Sequence, residues 1–181
     1  MKVLLFILLP AILLIDTPTF SQSSKRNAQI QKLDFCGARY HNLKKLQDRL
    51  LPQFAFLGVN EKDTIVDIGA QSGSFEGTFT ALTNYQNLHF ILVDIDSACL
   101  NSRKLAAMNQ HFAKHKPDYK LHSFSIVNNT PDSLWLPKES FNKVWIINTL
   151  HEIPDQQQFL FQVNDVLRIG GEVIIQEVVP S

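Results

Sequence analysis

The sequence has 181 residues, which is enough for one domain with a sizeable core and too few for two ordinary domains. It is 45% hydrophobic and 19% charged, which is typical of a globular protein and excludes a disordered chain or a polytopic membrane protein. The 17 basic and 17 acidic residues leave no net charge. A general nucleic-acid binder needs a basic excess, so we expect no nucleic-acid partner.

The N-terminus has the features of an export or anchor segment. Lys2 precedes an uncharged run over residues 3–15, which is shorter than the roughly 20 residues that a membrane-spanning helix needs. A charged start, an apolar middle and small residues at the exit predict a signal peptide over residues 1–21, cleaved between Ser21 and Gln22. The protein would then be exported, either periplasmic or secreted. The alternative is an uncleaved signal-anchor in which residues 3–15 hold the protein at a membrane.

Residues 22–58 are predicted to form a helical lead-in to the main domain. Four leucines recur at steps of three and four residues, which places them on one helix face: Leu43, Leu46, Leu50 and Leu51. Pro52 is expected to end this helix. The two cysteines, Cys36 and Cys99, have no metal-type spacing and are too few to frame a domain with disulfides. We predict two buried, small apolar side chains.

From residue 59 onward the pattern alternates between strands and helices. Strands are predicted at 64–68, 88–93, 119–127, 144–147 and 173–179, and helices at about 74–84, from Asp96 or Ser97 to about 111, and at 155–169. Gly170 and Gly171 are expected to stop the last helix. This alternation predicts an α/β fold, a doubly wound parallel sheet with helices on both faces. Ligands of such sheets bind beyond the carboxyl ends of the strands.

The turn after the first predicted strand is rich in glycine. Three of the seven glycines in the chain fall within nine residues: Gly69, Gly73 and Gly77. Glycine permits a sharp turn and the close approach of a ligand, and the helix that follows offers free N–H groups to an anionic group. An ordinary strand-to-helix turn, the alternative, needs one glycine and not this spacing.

Asp94 follows the second predicted strand, 25 residues beyond Gly69. A carboxylate at this point can accept hydrogen bonds from the two hydroxyls of a ribose. The alternative is a solvated turn aspartate or a helix cap, and Asp96 can serve as that cap. Taken together, the glycine turn and Asp94 predict a nucleoside-cofactor site.

These motifs resemble those of the class I S-adenosylmethionine-dependent methyltransferases, in their small-molecule branch. The stretch 67–73 is similar to the first motif of the family, D-x-G-x-G-x-G, with Gln71 in place of its second glycine. Further stretches resemble family motifs in the same order: 90–96, 136–144, 148–153 and 166–175. The resemblance covers residues 55–178 and implies a Rossmann-like methyltransferase domain over residues 59–181. A nicotinamide-dependent oxidoreductase is a weaker alternative, which Gln71 disfavours.

The resemblance implies S-adenosyl-L-methionine as the cofactor and, by position in the motifs, these cofactor-binding residues: Asp67, Gly69, Ala70, Gly73, Asp94 and Ile95. The glycine turn would line the methionine end of the cofactor, and Asp67 would orient the turn and reach the amino group. Asp94 would hold the ribose, and Ile95 would pack on the adenine. The residue at the adenine edge is expected in the loop 128–132.

Two residues after the fourth predicted strand, His151 and Glu152, are the candidate catalytic residues. A sulfonium methyl is already activated, so the enzyme must mainly hold the acceptor in line and exclude water. A base helps where the acceptor is a hydroxyl or an acidic carbon. Alternatively, His151 orients the loop and Glu152 caps the next helix. The stretch also lacks the Asn-Pro-Pro-aromatic pattern of enzymes that methylate amino groups on bases and glutamine, which favours a small-molecule acceptor.

Two histidines at helical spacing, His111 and His115, could together contact a metal ion. His111 and His115 share a helix face but lack an acidic or cysteine partner nearby, so we expect surface histidines and no metal.

The family normally adds two strands after the fifth, whereas this sequence ends at Ser181. We therefore expect a truncated relative, or a homodimer that covers an exposed, apolar fifth-strand edge. The alternative function is a non-catalytic nucleoside-binding or interaction module that retains the fold.

Overall fold

The structure, a computed structural model, describes Cys36 and residues 43–178. The predicted signal peptide or signal-anchor over residues 1–21 lies outside the described residues. So do residues 179–181 and, apart from Cys36, the part of the lead-in that precedes residue 43. Among the residues that are described, no helix is both long enough and apolar enough to span a bilayer.

Helices and strands alternate along the described chain, except that the third and fourth strands are joined by a loop without a helix. They follow one another in this order: α1 (Leu43–Ala55), β1 (Thr64–Ile68), α2 (Ser74–Leu82), β2 (His89–Asp94), α3 (Ser102–Ala113), β3 (Ser123–Asn128), β4 (Phe141–Ile147), α4 (Gln156–Val166) and β5 (Leu167–Gln176). Two short 3-10 helices, Pro117–Leu121 and Leu150–Glu152, precede β3 and follow β4.

The five strands form one parallel sheet in the order β3-β2-β1-β4-β5. One core lies on the face covered by α1 and α2, where Phe54 and Phe79 pack against Trp145 and its neighbours in the sheet. The other core lies under α4, where Phe159 and Val163 pack with alternate residues of the same strands. The predicted doubly wound α/β fold, with helices on both faces, is confirmed.

The first helix continues past Pro52, which was expected to end it. Proline lacks an N–H group and leaves one intrahelical hydrogen bond unmade. Leu50 and Phe54, each 2% exposed, lie one turn apart on the face that packs into the core. Burying such side chains stabilises the fold by about 1.5–3 kcal/mol each, which outweighs the lost bond.

Two other predicted helix ends are wrong. Helix α3 begins at Ser102, because the Asn101 side chain accepts a hydrogen bond from the Lys104 amide at 3.0 Å. Asp96 instead accepts from the Ala98 amide at 2.8 Å and closes a separate turn. Helix α4 ends at Val166, and Gly170 and Gly171 lie inside β5, where the pairing with β4 shifts register. These glycines therefore form an irregularity in the strand.

The prediction for the two cysteines is also wrong, because Cys36 and Cys99 form a disulfide with their Cα atoms 5.8 Å apart. The bond joins positions 63 residues apart. A pair of cysteines in a sequence carries no information on whether the fold brings them together.

The β5 edge of the sheet exposes apolar side chains, as expected. Val173 is 42% exposed and Ile175 is 41% exposed on this strand, whose other side pairs with β4. The homodimer through this edge stays a prediction.

A buried carboxyl group in α2 makes the stability of the fold dependent on pH. Glu76 is fully buried, and neither of its carboxyl oxygens has a hydrogen-bond partner. Burial raises the pKa of this carboxyl from 4.5 to about 8. The group is therefore mainly protonated at neutral pH in the folded protein.

We expect Glu76→Gln to remove this pH dependence. Between about pH 4.5 and 8 the folded state keeps a proton that the unfolded chain loses. The wild-type free energy of unfolding should therefore fall with rising pH, by up to about 1.4 kcal/mol per pH unit from this group. In urea unfolding from pH 5 to 8, the free energy of unfolding of the variant should rise relative to that of the wild type as the pH increases. The exposed control Glu61→Gln should track the wild type, and a Glu76→Gln variant that does the same would contradict the assignment.

Candidate active site

A cavity of about 580 Å³ opens at the carboxyl ends of the parallel strands. Its wall is formed by the loops after β1, β2, β3 and β4, together with the disulfide Cys36–Cys99. This is the edge of a doubly wound sheet at which ligands bind, and the volume suits a small molecule. The structure thus gathers residues from three of the motif stretches, 67–73, 90–96 and 148–153, around one hollow.

The glycine turn is tied by hydrogen bonds to the end of β2. The amides of Gly69 and Ala70 donate to the Val93 carbonyl at 2.9 and 3.1 Å. The Gln71 amide donates to Asp94 Oδ2 at 2.7 Å, and the Asp96 amide donates to Asp94 Oδ1 at 2.8 Å. The predicted convergence of the glycine turn and Asp94 is therefore observed.

Gly69 leaves no room for a side chain. Its φ is +81°, in the left-handed region that glycine favours. A Cβ atom at this position would overlap the side chain of Thr149, which follows β4. The turn can therefore approach the β4 loop only because residue 69 is glycine.

Gly73 has a different surrounding from the rest of the turn. It precedes α2 with a φ of +74°, and a Cβ atom there would lie 2.7 Å from Leu92 Cδ1 in the core. Gly73 is not among the described residues that line the cavity. Gly77 likewise packs closely against Phe112 and Met108 of α3. Gly73 therefore allows the conformation of the turn, and Gly77 allows the close packing of α2 on α3.

Gln71 occupies the position where the motif has glycine. Its φ is +49°, so a residue with a side chain adopts the left-handed conformation that the motif supplies with glycine. The hydrogen bond from its amide to Asp94 holds this conformation.

Asp67 is a buried residue that lines the cavity. It is 3% exposed, and its Oδ1 atom has no hydrogen-bond partner among the described residues. A buried carboxylate oxygen without a partner is unfavourable, and an ammonium group in the cavity would provide one. Ile95, 62% exposed, also lines the cavity and offers an apolar surface to a ligand.

The loop after β3 contributes the residues whose identity the sequence left open. Asn129, Thr130 and Pro131 line the cavity within the predicted stretch 128–132. The Asn129 side-chain oxygen accepts a hydrogen bond from the Trp135 amide at 3.1 Å, which leaves its amino group free to act as a donor.

His151 and Glu152 are neighbours that face different surroundings. Glu152 lines the cavity, whereas His151 is not among the described lining residues. His151 Nδ1 lies 2.7 Å from Glu177 Oε2, and Glu177 Oε1 accepts from the Leu150 amide at 2.7 Å. His151 thus holds the loop. Glu152 does not cap the next helix, because Asp155 accepts from the Gln158 amide at 3.0 Å and caps α4.

Glu177 was missed by the sequence interpretation. Partial burial by itself raises the pKa of its carboxyl group, but the hydrogen bonds from His151 and the Leu150 amide outweigh this and hold the pKa below its usual range. The residue lies 25 positions beyond Glu152, after the last strand, and no local pattern marks it.

A comparison with known families identifies the domain. The family model described as a methyltransferase domain matches residues 59–180. The chain belongs to this methyltransferase domain family. None of the curated protein sequences matches the chain.

Solved structures share the fold of this methyltransferase domain. YcgJ from Bacillus subtilis is 20% identical with a TM-score of 0.52, over 70% of this chain and 48% of that one. A SAM-dependent methyltransferase from Aquifex aeolicus is 15% identical with a TM-score of 0.51, over 76% and 72%. YjhP from Escherichia coli is 14% identical with a TM-score of 0.53, over 81% and 55%. The chain thus spans about half the length of YcgJ.

The residues of this methyltransferase domain fit the cofactor of its family, S-adenosylmethionine. The partnerless Asp67 oxygen suits the cofactor's ammonium group, and Gly69 lines the same cavity. Asp94 retains acceptor capacity beyond its two amide bonds, since each carboxylate oxygen has two lone pairs. Within the described part of the chain, no group of three or more His, Cys, Asp and Glu side chains could hold a metal ion.

We expect Gly69→Ala to destabilise the domain more than Gly170→Ala does. Both glycines have positive φ values, +81° and +78°, so both variants incur a backbone strain of about 1–2 kcal/mol. A Cβ atom at Gly170 meets nothing within 4 Å, whereas one at Gly69 overlaps Thr149. The overlap should cost about 1–3 kcal/mol more. Chemical denaturation measures the difference, and equal losses would show that residue 69 is not confined by Thr149.

Proposed function

We propose that this domain binds S-adenosylmethionine and transfers its methyl group to a small-molecule acceptor. The observation that carries the proposal is that Asp67, the turn at Gly69, and Asp94 line one cavity at the strand ends. A side-chain-filled hollow would have left no place for a nucleoside. Membership in the methyltransferase domain family supports the same activity.

Each wall of the cavity has a part in this proposal. The cofactor, when bound, supplies a methyl group already activated by its sulfonium. Asp67 would accept hydrogen bonds from the amino group, Asp94 from the ribose hydroxyls, and Ile95 would pack on the adenine. Asn129 would donate to the adenine edge. This fixed placement lowers the entropy cost of bringing donor and acceptor into line.

Glu152 is the residue that we propose for proton transfer at the acceptor. It lines the cavity, its side chain is 73% exposed, and its Oε1 atom lies 3.9 Å from His151 Nε2. A carboxylate at the mouth can take a proton from an acceptor and pass it to solvent. His151, held by Glu177, is proposed as a positioning residue for this loop.

The first test is calorimetry with S-adenosylhomocysteine. We expect micromolar binding, and Asp94→Ala should weaken it by about 1.5–3 kcal/mol because charged hydrogen bonds to the ribose are lost. Asp48→Ala, which removes an exposed carboxylate on α1, is the control and should leave the affinity unchanged. Absence of binding to the wild type would favour the non-catalytic module, and an unaltered affinity in Asp94→Ala would remove Asp94 from the site.

We also propose that the protein is exported. The charged and apolar N-terminal pattern supports export, and so does the Cys36–Cys99 disulfide, because disulfides persist in oxidising compartments. Expression of the full chain in its native host should yield an extracytoplasmic protein that begins at Gln22 and has no free thiol. N-terminal sequencing and thiol titration measure both features. A protein retained in the cytoplasm with two free thiols would contradict the proposal.

A further inference from the structure

The charged residues around the cavity all have the same sign. Among the described residues, the charged side chains in its wall are carboxylates: Asp67, Asp94, Asp96 and Glu152. No described lysine, arginine or histidine lines it. Lys104 is not a lining residue, but its Nζ atom lies 3.1 Å from Sγ of Cys36, which is one.

A second observation shows that this acidic wall belongs to a ligand site. The Asp67 carboxylate is nearly fully buried, lines the cavity, and has an oxygen without a partner. A buried polar atom that is left unpaired in this way calls for a ligand group that donates hydrogen bonds. The wall therefore faces a ligand with donor groups.

The carboxylates of the wall differ in the hydrogen bonds that they accept from the protein. Asp94 accepts the amides of Gln71 and Asp96, and Asp96 accepts the amide of Ala98. Among the described residues, no donor lies within hydrogen-bond distance of the Glu152 carboxylate, and its Oε1 atom lies 3.9 Å from His151 Nε2. Apart from Asp67, Glu152 is therefore the carboxylate of this wall that the protein itself uses least.

The position of Glu152 assigns it to the acceptor rather than to the cofactor. Our proposed function places the cofactor between Asp67, Asp94 and Ile95, along the loops after β1 and β2. The remaining wall, after β4, combines Glu152 and the polar residues Asn148 and Thr149 with the apolar side chains of Ile153, Pro154 and Phe159. One carboxylate beside an apolar surface suits a molecule that has a cationic head and an apolar body.

We propose, on the basis of the proposed function, that the acceptor of this domain is an amine. With the cofactor held by Asp67 and Asp94, an anionic acceptor would meet Glu152 and no described cation in the remaining wall, which disfavours its binding. An ammonium group would be attracted to Glu152 while its apolar body packs on the β4 loop. The acidic wall thus selects against carboxylated and phosphorylated acceptors.

The proposed reaction balances in atoms and charge. The acceptor ammonium first gives one proton to Glu152 or to solvent, which leaves a neutral amine with a free electron pair. That pair forms the new N–C bond as the S–C bond breaks, and the electrons of the broken bond stay on sulfur as a thioether. The product ammonium carries the positive charge that the sulfonium has lost, so the field of the wall stabilises both ends of the transfer.

A pair of cofactor analogues tests the charge preference without the acceptor itself. S-adenosylhomocysteine has no group at the position of the transferred methyl, whereas sinefungin carries an amine there, directed at the acceptor side. We expect the full-length wild-type protein to bind sinefungin about fivefold or more tightly than S-adenosylhomocysteine, by calorimetry at low salt. Glu152→Gln should lower that ratio about threefold or more and leave the affinity for S-adenosylhomocysteine within about twofold.

The matched control is Glu61→Gln, an exposed carboxylate outside the cavity, which should preserve the wild-type ratio. A sinefungin affinity at or below that for S-adenosylhomocysteine would overturn the amine assignment, and so would a ratio that Glu152→Gln leaves unchanged. Failure of the wild type to bind S-adenosylhomocysteine would instead reject the proposed function on which the assignment rests. The two failures are therefore distinguishable.

Discussion

The site depends on the attachment of the glycine turn to the end of the neighbouring strand. Three successive amides, those of Gly69, Ala70 and Gln71, donate to the Val93 carbonyl and the Asp94 carboxylate. Because β1 and β2 are parallel neighbours, their carboxyl ends meet at the same edge, and these bonds hold the two loops side by side. Each oxygen of Asp94 accepts one amide, Oδ2 from Gln71 and Oδ1 from Asp96, and each retains acceptor capacity for a ligand. Without these hydrogen bonds, the turn and the carboxylate would be two independent loop features.

Unpaired polar groups mark where this fold departs from maximum stability. Asp67 and Glu76 are both buried with carboxyl oxygens that have no partner, yet they differ in their surroundings. Asp67 lines the cavity, so a bound ligand can satisfy it. Glu76 lies in α2, and burial raises its pKa to about 8, which keeps it mainly neutral at physiological pH. A bound ligand offsets the unfavourable burial of the Asp67 carboxylate, and protonation offsets the unfavourable burial of Glu76.

Some features were predictable because they depend on short-range patterns. The strand Thr64–Ile68 was predicted with its observed bounds, since a β-branched run ends at glycine. The approach of Gly69 to Asp94 followed from the rule that parallel strands place their carboxyl ends together. Other predictions failed where packing outweighed local preference. Pro52 did not end α1, because Leu50 and Phe54 on either side of it are buried in the core. Gly170 and Gly171 did not stop α4, which ends earlier as the chain turns into β5.

The sequence by itself determined the alternation of strands and helices, the family, and the loops in which ligand-binding residues lie. These follow from hydrophobic periodicity and from motifs that are contiguous in the chain. Only the tertiary structure decided which distant residues meet: Cys36 with Cys99, Glu177 with His151, and Thr149 with Gly69. It also decided that Glu152 lines the cavity while His151 beside it binds Glu177. Such pairings depend on how separate elements pack in space, and no local pattern encodes that packing.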